Sequence, residues 1–272
     1  MNDFLLLMWK PLLACFVLTG IHAYLGVHVV ERKVIFVDLS LAQIAALGAT
    51  VSLLFGGDLH SPATYWFSLG ATFLGAAIFS VTRTRKEKIP HEAIIGIVYA
   101  VSAAAAILIL SRTAEGDEHI RHMLVGNILL VDTPELIKIA VLYSVIGVFH
   151  WIFRKKFLVI SQNPEKAFAS GVNVKLWDLV FYLTFGLVVT SSVEIAGVLL
   201  VFSFLIVPSV AAIMYSENIR TRLLLGWSVG VLTSLIGVSL SYFLDLPTGA
   251  AIVCTFGVVL LALGVVRKQS GN

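Results

Sequence analysis

Three polar side chains stand where an apolar helix tolerates them least. In "FVDLSLAQIAALG", Phe36 to Gly48, a carboxylate, a hydroxyl and an amide (Asp38, Ser40 and Gln43) interrupt a long apolar run. A charged side chain facing lipid costs several kcal/mol, about 2.5 or more on insertion scales, so such residues turn to a bundle interior or an aqueous cavity and mark pathways. Lining a pathway is therefore the first reading of Asp38. A structural hydrogen bond to a neighbouring helix is the second, and for Gln43 it is the better one. Direct ligation of a dehydrated transition metal comes third, because Zn²⁺ prefers Cys and His. On a regular helix Asp38 and Gln43 lie about 140° apart, so the two cannot share one ion without distortion.

Other residues able to do chemistry are scattered. His119 and His122, beside Asp117 and Glu118, have i, i+3 spacing if their segment is helical and could sample metal ions at an entrance. A solvated loop with two incidental histidines is the commoner origin of such a pattern. His22 and His28 are six residues apart and fall on different helix faces; His60, His91 and His150 sit near the ends of apolar runs, where an amphipathic ring is ordinary. Cys15 and Cys254 both lie within apolar runs, so no disulfide framework follows and both read as small buried side chains. There is no G-x-x-x-x-G-K-[ST] phosphate loop and no H-E-x-x-H pair. The chain carries no motif for splitting ATP by itself.

The elements that must position these residues follow from composition. Hydrophobic residues make up 58% and charged residues 13%, against about 25% charged in soluble domains, and the mean hydropathy is +0.96. The fold class is all-α and integral to the membrane. Runs of about 20 apolar residues, enough to cross the hydrocarbon core, occur at 12–30, 34–56, 65–82, 91–111, 135–153, 177–193, 195–215, 223–244 and 248–266. The pair flanking Glu194 reads as one broken element or two helices, giving a bundle of 8–9 spans in a single domain, 1–272, with Glu194 at the outer junction. "MNDFLLLMWKPLLACFVLTG" reads as a retained first helix.

Most of the nineteen basic residues fall in alternate loops: Arg32 and Lys33, the cluster Arg83 to Lys88, the run Arg154 to Lys175, Arg220 and Arg222, Arg267 and Lys268. The other loops are acidic or neutral. Basic residues near helix ends resist translocation, so nine spans put the N-terminus outside and the C-terminus inside. The net charge of +3 gathers into no patch that would bind nucleic acid; the lipid bilayer is the first partner.

Three local features qualify the spans. In the outer loop, "MLVGNILLV" is too short to cross and reads as interfacial or re-entrant. In the inner loop at about 160–176, Asn163 and Pro164 make a cap and first helical residue, and Gly171 makes a stop, around "EKAFAS". This predicts a short cytoplasmic helix, with a solvated linker as the alternative. Pro208 interrupts the seventh run, either as a plain kink or as part of a pathway lining. The G-x-x-x-G from Gly226 to Gly230 reads as close packing within the bundle.

"VVERKVIFVDLSLAQIAALG", "HEAIIGIVYAVSAA", "MLVGNILLVDTPEL", "NPEKAFASGVNV" and "VEIAGVLLVFSFLIVPSVAA" follow one another along nearly the whole chain. In this order and spacing they resemble the membrane permeases of bacterial ABC importers for zinc, manganese and iron. The resemblance implies a chain of the bacterial inner membrane, paired with a second permease copy, resting on two ATPase subunits that bind ATP and Mg, and served by an external substrate-binding protein. It implies that no cofactor is bound by this chain and that the transported metal is cargo, zinc ahead of manganese and iron. It also implies that the 163–175 loop is a coupling helix docking on the ATPase, with Pro164, Ala167 and Gly171 matching the motif. In the zinc and manganese permeases the second helix commonly carries an aspartate and, four residues later, a histidine. Here those places hold Leu39 and Gln43, and Asp38 lies one residue earlier. The loss leaves open a cargo such as a metal chelate or organic solute, and, outside this family, a secondary carrier or membrane scaffold.

Overall fold

Apolar runs whose backbone groups must be satisfied without water close their hydrogen bonds internally as helices. The structure, a computed structural model describing residues 2–56, 61–83, 89–111, 126 and 128–270, consists of such helices. In chain order they are α1 (Asn2–Glu31), α2 (Val37–Leu54), α3 (Pro62–Thr82), α4 (His91–Leu110), a single 3-10 turn (Ile128–Leu130), α5 (Thr133–Ile152), α6 (Arg154–Gln162), α7 (Pro164–Ala169), α8 (Val174–Ala196), α9 (Val198–Tyr215), α10 (Ile219–Leu244) and α11 (Thr248–Ser270). Among the described residues, nine of these are long and apolar enough to cross a membrane. Each of the nine predicted runs has its helix.

The chain forms two compact units. One comprises Met1–Val30, Leu124–Val145 and Glu194–Asn272, the other Glu31–Met123 and Ile146–Val193. In the first, α9, α10 and α11 pack on one another. Small residues let α10 approach closely: a side chain on Gly230 would fall on Thr19, and Gly226 lies against Ala23 and the Pro208 carbonyl. The G-x-x-x-G pair thus serves packing inside the unit. Trp227 Nε1 donates to the Gly20 carbonyl at 3.0 Å, and Ser209 Oγ donates to the Leu205 carbonyl at 2.7 Å. In the second unit α2 packs on both α3 and α4, and α6, α7 and the start of α8 enclose a small core of Ile160, Ala167 and Val174.

Several boundaries depart from the sequence reading. Helix α1 begins ten residues before the run at 12–30 and passes through Pro11; Lys10 and Pro11 look like a start signal, yet the residues preceding them are helix formers in an apolar setting. The break in the 177–215 stretch falls at Gly197, whose φ is 75°, rather than at Glu194, which is exposed in the last turn of α8. A glycine adopts that conformation without steric cost, and a glutamate is at ease in a helix. Pro208 leaves α9 continuous from Val198 to Tyr215. Cys254 is exposed, and only Cys15 is buried. The 9-residue helix α6 was not foreseen, because it is too short and too basic to register as a span.

Candidate functional site

The turn between α1 and α2 is tight. Lys33 adopts φ 57°, and Val37 N donates to the Val34 carbonyl at 3.1 Å. Phe36 at the helix start offers no capping side chain; the role passes to Glu92 at the start of α4, whose Oε1 accepts from Phe36 N at 2.9 Å. A carboxylate at a helix N-terminus meets the positive end of the backbone dipole. Asp38, in the first turn of α2, gains from the same field and takes the Leu39 amide.

Asp38 is 2% exposed, and its Oδ1 has no hydrogen-bond partner. Glu92 Oε2 and the buried Ser40 Oγ are likewise unpartnered, and Gln43 is buried. Buried polar groups are ordinarily paired, and buried charges are paired or coordinate metals. Open carboxylate oxygens thus stand at the starts of both α2 and α4. Because α2 is a regular helix, Gln43 stays about 140° around from Asp38, and the pair does not converge on one point. Pro208 lies in the other unit, buried in α9, with its carbonyl facing Gly226.

Asp178 is the buried charge that was missed. It lies one turn into α8 and accepts from Arg32 Nη1 at 2.5 Å, while Arg83 Nη1 reaches both its oxygens at 2.9 Å. Arg32 Nε donates to Ser161 Oγ at 2.9 Å, and its guanidinium lies 4.0 Å from the Phe181 ring centroid. The Arg32 and Asp178 side chains are fully buried. Burial draws the Arg32 guanidinium below its ordinary pKa, and the Asp178 carboxylate pulls it back up. Counting Arg32 and Arg83 only as loop charges that set orientation hid this cluster. The available signal was a lone aspartate in the apolar run "VKLWDLVFYL", since an intramembrane carboxylate calls for a partner.

The predicted short helix is present as α7. Asn163 Oδ1 accepts from Lys166 N at 2.9 Å, Pro164 takes the first helical position, and Gly171 ends it with φ 73°. Pro164 and Gly171 are exposed, whereas Ala167 is fully buried against Ile160 and Val174. Ala167 anchors the helix, and its exposed face is left to Pro164, Glu165, Lys166, Ala169 and Ser170.

The histidines are mostly structural. His150 Nε2 and Thr184 Oγ1 are 2.8 Å apart, and the ring stacks on Phe157. His91 Nε2 pairs with Thr82 Oγ1 at 3.3 Å. Both sit near helix ends, His91 at the start of α4 and His150 in the last turn of α5, and both are buried. His22 Nδ1 meets the Leu18 carbonyl at 2.8 Å, leaving a buried Nε2 unpartnered. His60, His119 and His122, with Asp117 and Glu118, lie outside the described residues. No group of three His, Cys, Asp or Glu able to hold a metal occurs among the described residues.

Three comparisons bear on this arrangement. The family model described as the ABC 3 transport family matches residues 5–267. The manganese transport system membrane protein MntC of Listeria monocytogenes is 28% identical over 73% of this chain and 73% of its own. The manganese import system permease protein ScaB of Streptococcus parasanguinis is 29% identical over 76% of each. Among solved structures, PsaBC from Streptococcus pneumoniae in complex with Fab superimposes with a TM-score of 0.78, covering 96% of this chain and 93% of that one at 22% identity.

Proposed function

The chain belongs to the ABC 3 transport family, and from that premise we propose that it is the membrane permease of an ATP-driven importer for a divalent transition metal. One observation carries the metal reading: Asp38 at the start of α2 is a buried carboxylate with an open oxygen, and Glu92 Oε2 at the start of α4 is a second open oxygen. Oxygen donors suit Mn²⁺ better than the Cys and His sites that Zn²⁺ favours. Both relatives named above carry manganese in their names, so manganese takes the first place that resemblance alone gave to zinc.

In this reading ATP is bound and split on two partner subunits, for which the chain has no phosphate loop of its own. The exposed face of α7 meets those subunits on the cytoplasmic side, where the basic loops lie. An external binding protein delivers the ion, and a second copy of the chain completes the pathway. The N-terminus is outside, the C-terminus inside, and the membrane is the bacterial cytoplasmic membrane. Closure of the ATPases moves α7, and the helices around Asp38 and Pro208 open to one face and then the other.

The test is ⁵⁴Mn²⁺ uptake into proteoliposomes holding the permease, its ATPase and its binding protein. Uptake that requires both ATP and the ATPase supports the reading; accumulation by the permease alone would make it a secondary carrier. The missing aspartate–histidine pair, with Leu39 and Gln43 in its place, supports one second reading, a metal chelate as cargo. Stimulation of ATP hydrolysis by chelated but not free Mn²⁺ would select it.

A further inference from the structure

Asp178 has no part in holding cargo, yet two guanidiniums are buried against it. Buried ion clusters add little net stability over well-packed apolar side chains, so their value lies in the arrangement they enforce. We propose that Asp178 is a positioning residue of the transport cycle, fastening α7 to both open ends of the α2–α3 pair so that a displacement of α7 is delivered to the helix that carries Asp38. The proposal rests on the permease reading for the meaning of that displacement.

Each link is a contact within one compact unit. Ala167 is fully buried between Ile160 of α6 and Val174 of α8, with Val159, Phe168, Val172 and Trp177 packed around them. Close-packed side chains transmit displacement, so α7 carries the end of α6 and the start of α8 with it. The residue after Ile160 is Ser161, which accepts from Arg32. One turn beyond Val174 is Asp178, which holds Arg32 and Arg83.

The two arginines bracket the α2–α3 pair. Arg32 precedes the turn that enters α2, and Arg83 caps the end of α3. Helices α2 and α3 pack intimately, with Gly75 against Leu41 and Ile44 and Gly48 against the Phe67–Ser68 backbone. The entry and the exit of this hairpin therefore converge on one carboxylate. Asp38 follows Arg32 by six residues, at the start of α2, and the hydrogen bond from Val37 N to the Val34 carbonyl closes the intervening turn. Contiguous contacts of this kind become a coupling route only when both ends respond together.

The experiment uses the full complex in nanodiscs, with Cys15 and Cys254 replaced by serine and spin labels at Lys33→Cys and Glu165→Cys, both exposed positions. In otherwise wild-type protein the distance between labels stays the same with and without bound ATP, because the corner and α7 move as one. In Asp178→Asn it changes on ATP binding. In parallel, Mn²⁺ transported per ATP hydrolysed falls about tenfold in Asp178→Asn, within the span of coupling free energies, and Asp178→Glu recovers most of it. If Asp178→Asn does not assemble, Ser161→Ala removes one neutral partner and gives the same changes at smaller amplitude.

Labels that keep their distance in Asp178→Asn, or uptake and hydrolysis falling in equal proportion, would overturn the proposal. The distance measurement needs no cargo. A wild-type complex that moves no Mn²⁺ while the labels respond as stated refutes the cargo assignment and leaves the coupling role standing.

Discussion

Two groups of buried polar side chains lie in the same unit and are satisfied in opposite ways. Around Asp178, donors from Arg32 and Arg83 occupy both carboxylate oxygens and Ser161 takes a further N–H of Arg32, although Arg32 Nη2 is left without a partner. Around Asp38, one carboxylate oxygen, the Ser40 hydroxyl and an oxygen of Glu92 have no partner. Leaving a buried acceptor unmade costs about 1–3 kcal/mol, so a fold keeps such groups where something else completes them. The first group is closed by partners within the chain, and the second is the one that the proposed function assigns to the ion.

The contrast predicts that folding depends far more on the Asp178 group than on the Asp38 group. The largest effect on folding belongs to Asp178→Ala, which strands two guanidiniums, one of them fully buried. Breaking a buried pair in this way costs about 3–5 kcal/mol, seen as a loss of folded, monodisperse protein in detergent. Arg83→Met costs less, because its side chain is 10% exposed and Asp178 keeps Arg32; a fall as large as that for Asp178→Ala would break the picture of one shared carboxylate. The smallest effect belongs to Ser40→Ala. Removing an unpartnered buried hydroxyl leaves the melting temperature unchanged or slightly raised, whereas a clear drop would mean that Ser40 is bonded.

Helix number and the α7 cap were legible in the sequence, because length, hydropathy and Asn163-Pro164…Gly171 are local signals. The break at Gly197 was legible only to within a few residues, since a glutamate advertises polarity and a glycine advertises a turn, and the backbone obeys the glycine. Asp38 announced itself because it stands alone in an apolar run. The Asp178 cluster did not, because its partners come from residues 95 to 146 positions away. Arg32 in the sequence is a loop charge beside Lys33; only packing shows that Lys33 is exposed and Arg32 buried. Ala167 carried a motif match but no hint of which way it faces, and burial assigns it to the anchor side of α7.

The most direct test is Asp38→Ala in the reconstituted complex, with ⁵⁴Mn²⁺ uptake, ATP hydrolysis and melting temperature measured on one preparation. The account predicts uptake reduced by about 10–100-fold, the range for disturbed metal sites, with basal hydrolysis and melting temperature close to wild type. Wild-type uptake in Asp38→Ala, or unfolding in place of lost transport, would contradict it and move the ion pathway away from α2.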